Sequence, residues 1–514
     1  MATPRQSLEN AAATFERRPA ILFCLLTLFY GLLVVLTIGR GLWFDELFTY
    51  YIAKQPDFRA TFEASRRVDM NPPLIYGLVR LSHALFGDST VATRLPSVVG
   101  FWLGSAAFFA WLGKRTGYVV AAGAIAVFWA GFFLMYATEA RPYGIWLGFF
   151  GGALLCWDRV HTPHRRLAII GLFLCTAGML MSHMLAPFSL GSIYLGELVR
   201  TVRRRFPDWP VWLALLLPLS VTAGYVAWTH GFQTMAFPPA GRAVFPPVYQ
   251  ASPMRILRFY ARLGRDLREP AMVGLLAGLA VMPWRGRFRW TYRFSLADAA
   301  IGLGLFLVPY LLVAALMTTH SAFHWRYAIV GSLALWTGLS LGVNYLFRNS
   351  KLAGIAFVLG VLATPVVRYV LYHHHGHPTP GVHAELTQLK PELPFVAGSG
   401  LTFLELDHYE LPELTGRLFY LTDQEYAVRY ANATLWQGYR ALKEYFPIRS
   451  NIADYREFIA RNPHFLVLGT DYYLEDWLLK RLRDEKSLSM KRIATLPLPY
   501  KDVDVYEVQR QERD

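Results

Sequence analysis

Long apolar stretches recur through roughly the first 370 residues of the chain, separated by short polar segments. Each stretch is close to the roughly 20 residues that an α-helix needs to cross the hydrocarbon core of a bilayer. The pattern therefore predicts a polytopic α-helical membrane region. The predicted spans number about eleven and lie at 20–38, 91–112, 119–135, 144–157, 167–181, 185–199, 211–228, 271–284, 296–317, 328–347 and 352–371.

Two segments between these spans are longer and more polar than the rest. The first, 39–88, ends in the apolar stretch 74–86, which is too short to span and predicts a helix lying in the membrane interface. The second, 230–269, contains two proline pairs, which favour an extended chain, and then a run of arginines that predicts an interfacial helix beside lipid head groups. The proline pairs are Pro238-Pro239 and Pro246-Pro247, and the arginines are Arg255, Arg258, Arg262, Arg265 and Arg268.

Basic residues mark every second short loop and the segment before the first span. Because lysine and arginine accumulate in cytoplasmic loops, this alternation predicts a cytoplasmic N-terminus and an extracytoplasmic C-terminal part. The run 20–38 has no cleavage site like that of a secretory signal, so we expect it to remain as a signal-anchor helix. The polar residues then predicted on the outer side include Asp45, Glu139, Arg141, His183, His320, His324 and Arg326.

Composition agrees with a membrane protein and narrows the function classes. Hydrophobic residues make up 54% of the chain and charged residues 17%, which is too apolar for an average soluble protein. The net charge of +15 comes from basic residues scattered through short loops, and no RNA- or DNA-binding motif is present, so we expect no nucleic-acid partner. The three cysteines lie inside apolar runs and form neither a disulfide framework nor a metal motif.

After about residue 378 the composition changes to mixed charge without a spanning run. Short apolar strands alternate with helical patterns there, which predicts a small α/β domain outside the membrane. We therefore divide the chain into a membrane domain, 1–372, and a soluble domain, 373–514. The predicted strands lie at 394–397, 418–421, 465–468 and 503–508, and the helical patterns at 455–460 and 475–483.

A histidine cluster lies between the two predicted domains, and such clusters can bind metals. No acidic residue or cysteine stands nearby to complete a ligand set, so we expect a solvated linker instead. The cluster consists of His373, His374, His375 and His377.

The acidic doublet Asp45-Glu46 directly follows the first span and stands among large apolar residues. Carboxylates at the mouth of a membrane helix are costly to place there unless they have a function. The alternative is an ordinary helix N-terminus, where acidic side chains are favourable near the exposed N–H groups. Position alone leaves both interpretations open.

Five short motifs, taken in chain order, resemble those of a known family. The series looks like the integral-membrane GT-C glycosyltransferases of the family 39 type, which include the protein O-mannosyltransferases and the lipid A aminoarabinose transferases. Many relatives have histidine where Asn71 stands, so the resemblance does not extend a metal or base role to this position. The chain lacks the extended lumenal insertion of the eukaryotic mannosyltransferases, so a bacterial type is expected. The motifs are Phe44-Asp45-Glu46, Asn71-Pro72-Pro73-Leu74-Ile75-Tyr76, Arg94-Leu95-Pro96-Ser97, Glu139-Ala140-Arg141-Pro142-Tyr143 and Arg326-Tyr327.

The resemblance implies a fold and an activity. The fold is a GT-C helix bundle with an extracytoplasmic α/β domain, placed in a bacterial inner (plasma) membrane. The activity is transfer of a sugar from a polyprenyl-phosphate donor to a hydroxyl on a glycan, lipid or protein at the outer face, with inversion at the anomeric carbon. Membrane lipids are the other expected partner. Because the leaving phosphate stays on the lipid, no cofactor is required, although a divalent cation is compatible with this chemistry.

The resemblance also implies roles for individual residues. Asp45 matches the family's loop carboxylate and is the expected general base. Glu46 has either a supporting role or only a helix-end role, and Glu139 either pairs with Arg141 or acts beside the acceptor or as a base. Arginine suits the phosphate because its planar fork can bind two oxygens. The residues expected to bind substrate are Arg141, Arg326, Arg94, Asn71, Tyr143, Tyr327 and His324, with Arg80 behind them.

Three other functions stay open at this point. A transporter or flippase of lipid-linked sugars would be expected to carry charged residues near the bilayer midplane and Gly/Pro-broken helices in repeated halves, whereas the charges here concentrate at the outer edge. A glycan ligase or polymerase would share an outer site but use a lipid-diphosphate donor. A non-catalytic scaffold would leave binding to the outer domain. The alternative for Tyr76, Tyr143 and Tyr327 is a place in an interfacial aromatic belt, without contact to the sugar.

Overall fold

The computed structural model describes residues 4–69, 71–230, 249–282, 291–319, 321–372, 383–434, 436–498 and 501–511. Within these ranges a helical bundle is followed by a domain built on a mixed sheet. The predicted fold class is therefore confirmed. Four predictions lie outside the described residues. They are the extended Pro238-Pro239 and Pro246-Pro247 pairs, the outer position of His320, the linker at His373, His374, His375 and His377, and the start of the soluble domain at residue 373.

The helices of the bundle follow one another with short connections. Two 3₁₀ segments, Phe132–Ala137 and Trp325–Ala328, interrupt them. The helices are α1 (Pro4–Arg17), α2 (Pro19–Ile38), α3 (Phe44–Ala53), α4 (Phe58–Val68), α5 (Leu74–Phe86), α6 (Thr90–Thr116), α7 (Tyr118–Ala130), α8 (Tyr143–Arg159), α9 (Arg165–Leu180), α10 (Ala186–Arg204), α11 (Trp209–His230), α12 (Pro253–Val281), α13 (Leu296–Thr318), α14 (Ser332–Leu346) and α15 (Lys351–Tyr372).

The predicted spans correspond in order to α2 and to α6 through α15. By length and apolar composition alone, five described helices could cross a membrane: α2, α6, α11, α13 and α15. One prediction at this level is wrong. The interfacial arginine helix and the span 271–284 form the single helix α12, because the chain continues through Pro270, which removes one backbone hydrogen bond without ending the helix.

Helices α6 and α8 pack so closely that their backbones touch. A Cβ atom on Gly100 would lie 2.7 Å from the carbonyl oxygen of Gly144, and one on Gly148 would lie 2.7 Å from the carbonyl oxygen of Gly100. Small residues permit such close approach where membrane helices associate. The contact places the start of α8 against α6, where the Ser97 hydroxyl donates a 2.8 Å hydrogen bond to the carbonyl oxygen of Arg141.

Ion pairs join the predicted cytoplasmic loops at one end of the bundle. Arg115 at the end of α6 binds Asp158 at 2.6 Å and Asp298 at 2.8 Å, which links three helices. Arg165 binds Asp208 at 2.6 Å across the next two loops. The segments around the acidic doublet lie at the opposite end, which we call the domain end because the mixed-sheet domain contacts it. That the domain end faces the cell exterior stays a prediction from the basic loops.

The C-terminal domain has a six-stranded sheet in the order β3-β2-β1-β4-β6-β5. Strands β1 to β4 pair in parallel, whereas β6 pairs antiparallel with β4 and β5. The four predicted strands match β1, β2, β4 and β6. The elements are α16 (Ala384–Gln388), β1 (Phe395–Ala397), α17 (Gly400–Tyr409), α18 (Pro412–Thr415), β2 (Leu418–Thr422), α19 (Gln424–Ala431), α20 (Tyr439–Leu442), β3 (Asn451–Asp454), α21 (Tyr455–Arg461), β4 (His464–Gly469), α22 (Leu478–Asp484), β5 (Leu488–Leu498) and β6 (Lys501–Arg510).

The first polar loop, 39–88, lies between the bundle and this domain. Its helix α3 shares a hydrophobic core with the domain, in which the Phe44 and Trp436 rings are 5.1 Å apart and the Phe48 and Phe446 rings 4.9 Å apart. The predicted helix 74–86 is present as α5 with the same bounds. The acidic doublet therefore stands at the junction of the two domains.

Close packing of α6 on α8 leads to a first prediction. We expect Gly100→Ala to lower the free energy of unfolding by about 1–3 kcal/mol, because the new methyl group overlaps the backbone of Gly144. Thermal unfolding in detergent would measure the change. The matched control is Gly302→Ala on α13, where a Cβ atom meets nothing within 4 Å. Equal melting temperatures for the two variants would contradict the proposed contact.

Candidate active site

A buried ion pair between Glu46 and Arg94 organises the domain end. Both side chains are 0% exposed. Arg94 Nε donates to Glu46 Oε1 at 2.7 Å, and Arg94 Nη2 donates to the other carboxylate oxygen. The bidentate geometry is the strongest form of this interaction. It fixes the first turn of α3 to the first turns of α6.

The remaining N–H groups of Arg94 bind carbonyl oxygens at the end of α2, those of Ile38, Arg40 and Gly41. Every N–H group of the guanidinium is therefore used. Glu46 Oε1 also accepts the Ala140 N–H at 2.8 Å, which ties in the turn before α8. These contacts favour the supporting role of the two left open for Glu46. They also leave Arg94 no free N–H group for a substrate, contrary to the role expected from the sequence.

Asp45, one residue earlier, faces two other arginines. Arg326 Nη1 donates to Asp45 Oδ2 at 2.8 Å, and Arg141 Nε lies 4.0 Å from the same oxygen. The Asp45 side chain is 18% exposed. Burial raises its pKa, but Arg326 and Arg141 outweigh burial and hold the pKa below its usual value. Asp45 is therefore an anion at neutral pH, held between two cations.

Arg141 has a second carboxylate partner that the sequence did not single out. Its Nη1 donates to Asp69 Oδ2 at 3.0 Å and to the Asp45 carbonyl oxygen at 3.1 Å. The Asn71 amide donates to Asp69 Oδ1 at 3.0 Å and orients that carboxylate. The position of Asp69 two residues before the Asn71 motif was the available signal.

Glu139 does not pair with Arg141, so that alternative from the sequence is wrong: among the described residues, the carboxylates beside Arg141 are Asp69 and Asp45. The Glu139 side chain is buried, and its Oε2 has no hydrogen-bond partner in the described part of the chain. Burial and the neighbouring Glu46 raise its pKa to about 8, against the attraction of Arg326. A buried carboxyl group of this kind carries its proton at neutral pH.

Aromatic and imidazole rings close the site around Arg326. Its guanidinium lies 5.5 Å from the centre of the Tyr143 ring, and the His324 and Tyr327 rings are also 5.5 Å apart. His183 lies 5.4 Å from Tyr143. Burial and the arginines lower the pKa of both histidines to about 3, so both are neutral. These rings surround the charged groups of Asp45, Arg141 and Arg326 without adding a charge of their own.

The structure thus brings nearly all predicted site residues to one place. Arg80 is the exception, because its guanidinium binds the Gln55 and Pro56 carbonyl oxygens at the far end of α3. The described residues contain no group of three or more His, Cys, Asp or Glu side chains arranged to hold a metal ion.

The arrangement has unused hydrogen-bonding capacity. Nε of Arg141 and Nε of Arg326 are buried and have no hydrogen-bond partner in the described ranges. Two guanidinium groups with spare N–H donors, one on either side of a carboxylate, can bind an anion with several oxygens, such as a phosphate. The carboxylate beside them can then receive a proton.

Comparison with solved structures identifies the fold. The chain superposes on ArnT from Cupriavidus metallidurans bound to undecaprenyl phosphate with a TM-score of 0.51 and 15% sequence identity, over 95% of this chain and 97% of that one. The apo state of the same protein gives a TM-score of 0.51 and 13% identity over the same shares. No family model and no curated protein matches the sequence. The chain has the GT-C fold of ArnT, which confirms the fold expected from the motifs.

The Glu46–Arg94 pair leads to a second prediction. We expect Glu46→Gln to lower the free energy of unfolding by about 3–5 kcal/mol, because it leaves the Arg94 charge buried without a counter-ion. Chemical or thermal unfolding in detergent would measure this. In the control Asp88→Asn the lost pair, with Lys54, is exposed on both sides and worth about 0–1 kcal/mol. Similar losses in both variants would refute a special role for the buried pair.

Glu139 leads to a pH prediction. The folded protein keeps this proton up to pH about 8, whereas the unfolded chain releases it near 4.5. The folded state therefore binds more protons between these values, and the stability that this group contributes falls as pH rises from about 4.5 to 8. We expect Glu139→Gln to flatten that decline in the melting temperature. Parallel curves for the two proteins would show that Glu139 titrates normally.

Proposed function

We propose that the protein is a glycosyltransferase that moves a sugar from a polyprenyl-phosphate donor to a hydroxyl acceptor, with inversion at the anomeric carbon. The observation that carries the proposal is the position of Asp45 between Arg141 and Arg326 at the domain end of the bundle. The shared fold with ArnT supports it, because one of those ArnT structures contains undecaprenyl phosphate. The protein is then a multi-pass protein of the bacterial plasma membrane, with its N-terminus in the cytoplasm and its C-terminal domain outside.

In the proposed reaction the acceptor oxygen attacks the anomeric carbon and forms the new glycosidic bond. The bond between that carbon and the phosphate oxygen breaks, and its electron pair leaves with the lipid phosphate. The acceptor proton passes to the Asp45 carboxylate. Arg141 and Arg326 stabilise the negative charge that develops on the leaving phosphate, and they do so in a largely buried site where the interaction is strong.

Donor binding itself activates Asp45 in this mechanism. In the described state the two arginines hold the pKa of Asp45 down. A donor phosphate that takes hydrogen bonds from Arg326 and Arg141 adds a negative charge beside the carboxylate and draws the arginines away from it. Both effects raise the pKa of Asp45 and make it a stronger base. The base is thus most effective when the donor is in place.

The surrounding residues have secondary roles in this proposal. Tyr143, Tyr327 and His324 contact the sugar or phosphate through rings and neutral polar groups, and Glu139 supplies a protonated carboxyl group on the acceptor side. Asn71 acts indirectly through Asp69, which fixes Arg141. Glu46 and Arg94 hold the backbone that carries these groups.

The test of the proposed function uses Asp45→Asn. We expect this change to lower the transfer rate by about 10²- to 10⁴-fold, because the amide cannot accept the proton, while donor binding persists. Release of undecaprenyl phosphate from an undecaprenyl-phosphate sugar, in the presence of a hydroxyl acceptor, would measure the rate. The control is Asp57→Asn, an exposed helix cap in the same loop whose asparagine can cap equally well.

The same assay separates the alternatives. Full transfer by Asp45→Asn would remove Asp45 as the base. A wild-type protein that releases no undecaprenyl phosphate, but equilibrates a labelled lipid-linked sugar across a vesicle membrane, would be a transporter and would overturn the proposal.

A further inference from the structure

The start of α3, which carries Asp45, is only partly capped from within the helix: Glu46 Oε2 accepts the Trp43 N–H at 3.2 Å, but the Phe44 N–H needs an acceptor from elsewhere. The cap position is occupied by Trp43, and an indole has no acceptor for the free N–H groups of a first helical turn. The C-terminal domain supplies the acceptor. Glu405 on α17 accepts the Phe44 N–H through Oε1 at 2.9 Å.

A second group on the same helix holds the preceding residue. The Tyr409 hydroxyl accepts the Leu42 N–H and donates to the Leu42 carbonyl oxygen at 3.1 Å. Glu405 and Tyr409 are four residues apart, so both side chains project from one face of α17. The backbone groups of Leu42 and Phe44, on either side of Trp43, are therefore held by polar groups of a different domain.

The other side of Asp45 is fixed by the bundle. Glu46 is bound by Arg94 and by the Ala140 N–H. Asp45 thus lies between two anchored segments, one held by the domain and one held by α6. Apolar contacts beneath them, Phe44 on Trp436 and Phe48 on Phe446, keep α17 and α3 in one core.

We propose that the C-terminal domain positions the Asp45 carboxylate for catalysis, with Glu405 and Tyr409 as the positioning residues. The inference rests on the proposed function. It assigns a role to a domain whose own strands and helices carry no recognised phosphate or metal motif in the sequence. The physical reason is geometric: a displacement of about 1 Å at a reacting group can cost roughly 100-fold in rate, and the Asp45 backbone is bounded by contacts on both sides.

The test compares Glu405→Ala with Glu405→Gln in the full-length protein. The alanine variant loses the acceptor for the Phe44 N–H, so we expect kcat for sugar transfer to fall about 10- to 100-fold, with KM for the donor changed by less than about 3-fold. The glutamine variant keeps an acceptor oxygen in place, and we expect it to restore most of kcat. Tyr409→Phe should lower kcat in the same way, because both bonds to Leu42 are lost.

The control is Glu410→Ala in the same domain. Glu410 is buried and binds His383, not α3, so its loss destabilises the domain without releasing the start of α3. We expect kcat per folded molecule to stay near the wild-type value. Hydrogen exchange of the peptide 42–53 gives a readout besides activity: faster exchange in Glu405→Ala and Tyr409→Phe, and wild-type exchange in Glu405→Gln and Glu410→Ala.

Two outcomes would overturn the inference. One is wild-type kcat in both Glu405→Ala and Tyr409→Phe. The other is an equal fall in kcat for Glu405→Ala and Glu410→Ala, which would indicate only general destabilisation. Both differ from failure of the proposed function, in which the wild-type protein itself shows no transfer. In that case hydrogen exchange still tests the inference: if the peptide 42–53 exchanges at the wild-type rate in Glu405→Ala and Tyr409→Phe, these two residues do not hold the start of α3.

Discussion

The domain end depends on one buried ion pair, that of Glu46 and Arg94. Neither side chain is exposed to solvent, and the guanidinium donates all its hydrogen bonds to Glu46 and to carbonyl groups at and just after the end of α2. A buried charge without its partner is strongly unfavourable, so the pair permits one arrangement of α2, α3 and α6. The turn before α8 joins the same arrangement through the Ala140 N–H. Three separate sequence motifs therefore meet at a single interaction.

The doublet Asp45-Glu46 shows how adjacent identical charges acquire different tasks. Successive residues of a helix point about 100° apart, so Glu46 faces α6 while Asp45 faces the Trp325–Ala328 segment and Arg141. The first is fully enclosed and completely paired. The second is partly exposed and shares arginines that have donors to spare. Environment, and not residue type, makes one carboxylate a fixed structural group and leaves the other available to a ligand.

Hydrophobic pattern and basic loops were sufficient to predict the bundle, and the order of short motifs was sufficient to predict the GT-C fold. Those signals report which faces are buried and which loops lie together. They do not identify partners distant in the chain. Only the structure shows that Arg94 pairs with Glu46, that Asp69 binds Arg141, and that Glu405 accepts the Phe44 N–H. Strands β3 and β5 were missed for a local reason: β3 is half-buried throughout and has polar residues at both ends, and β5 contains a bulge and a proline.

The sheet order has a consequence for biosynthesis. Strand β6, Lys501–Arg510, lies between β4 and β5, so the sheet that supports α17 is incomplete until that late segment has left the ribosome. The helices of the bundle end at Tyr372, well before Lys501, and can insert and pack before then. The loop that carries Asp45 gains its contacts with Glu405 and Tyr409 only after α17 has folded and packed against it. A nascent chain in the membrane is thus a folded bundle whose domain end stays incomplete until β6 has been translated.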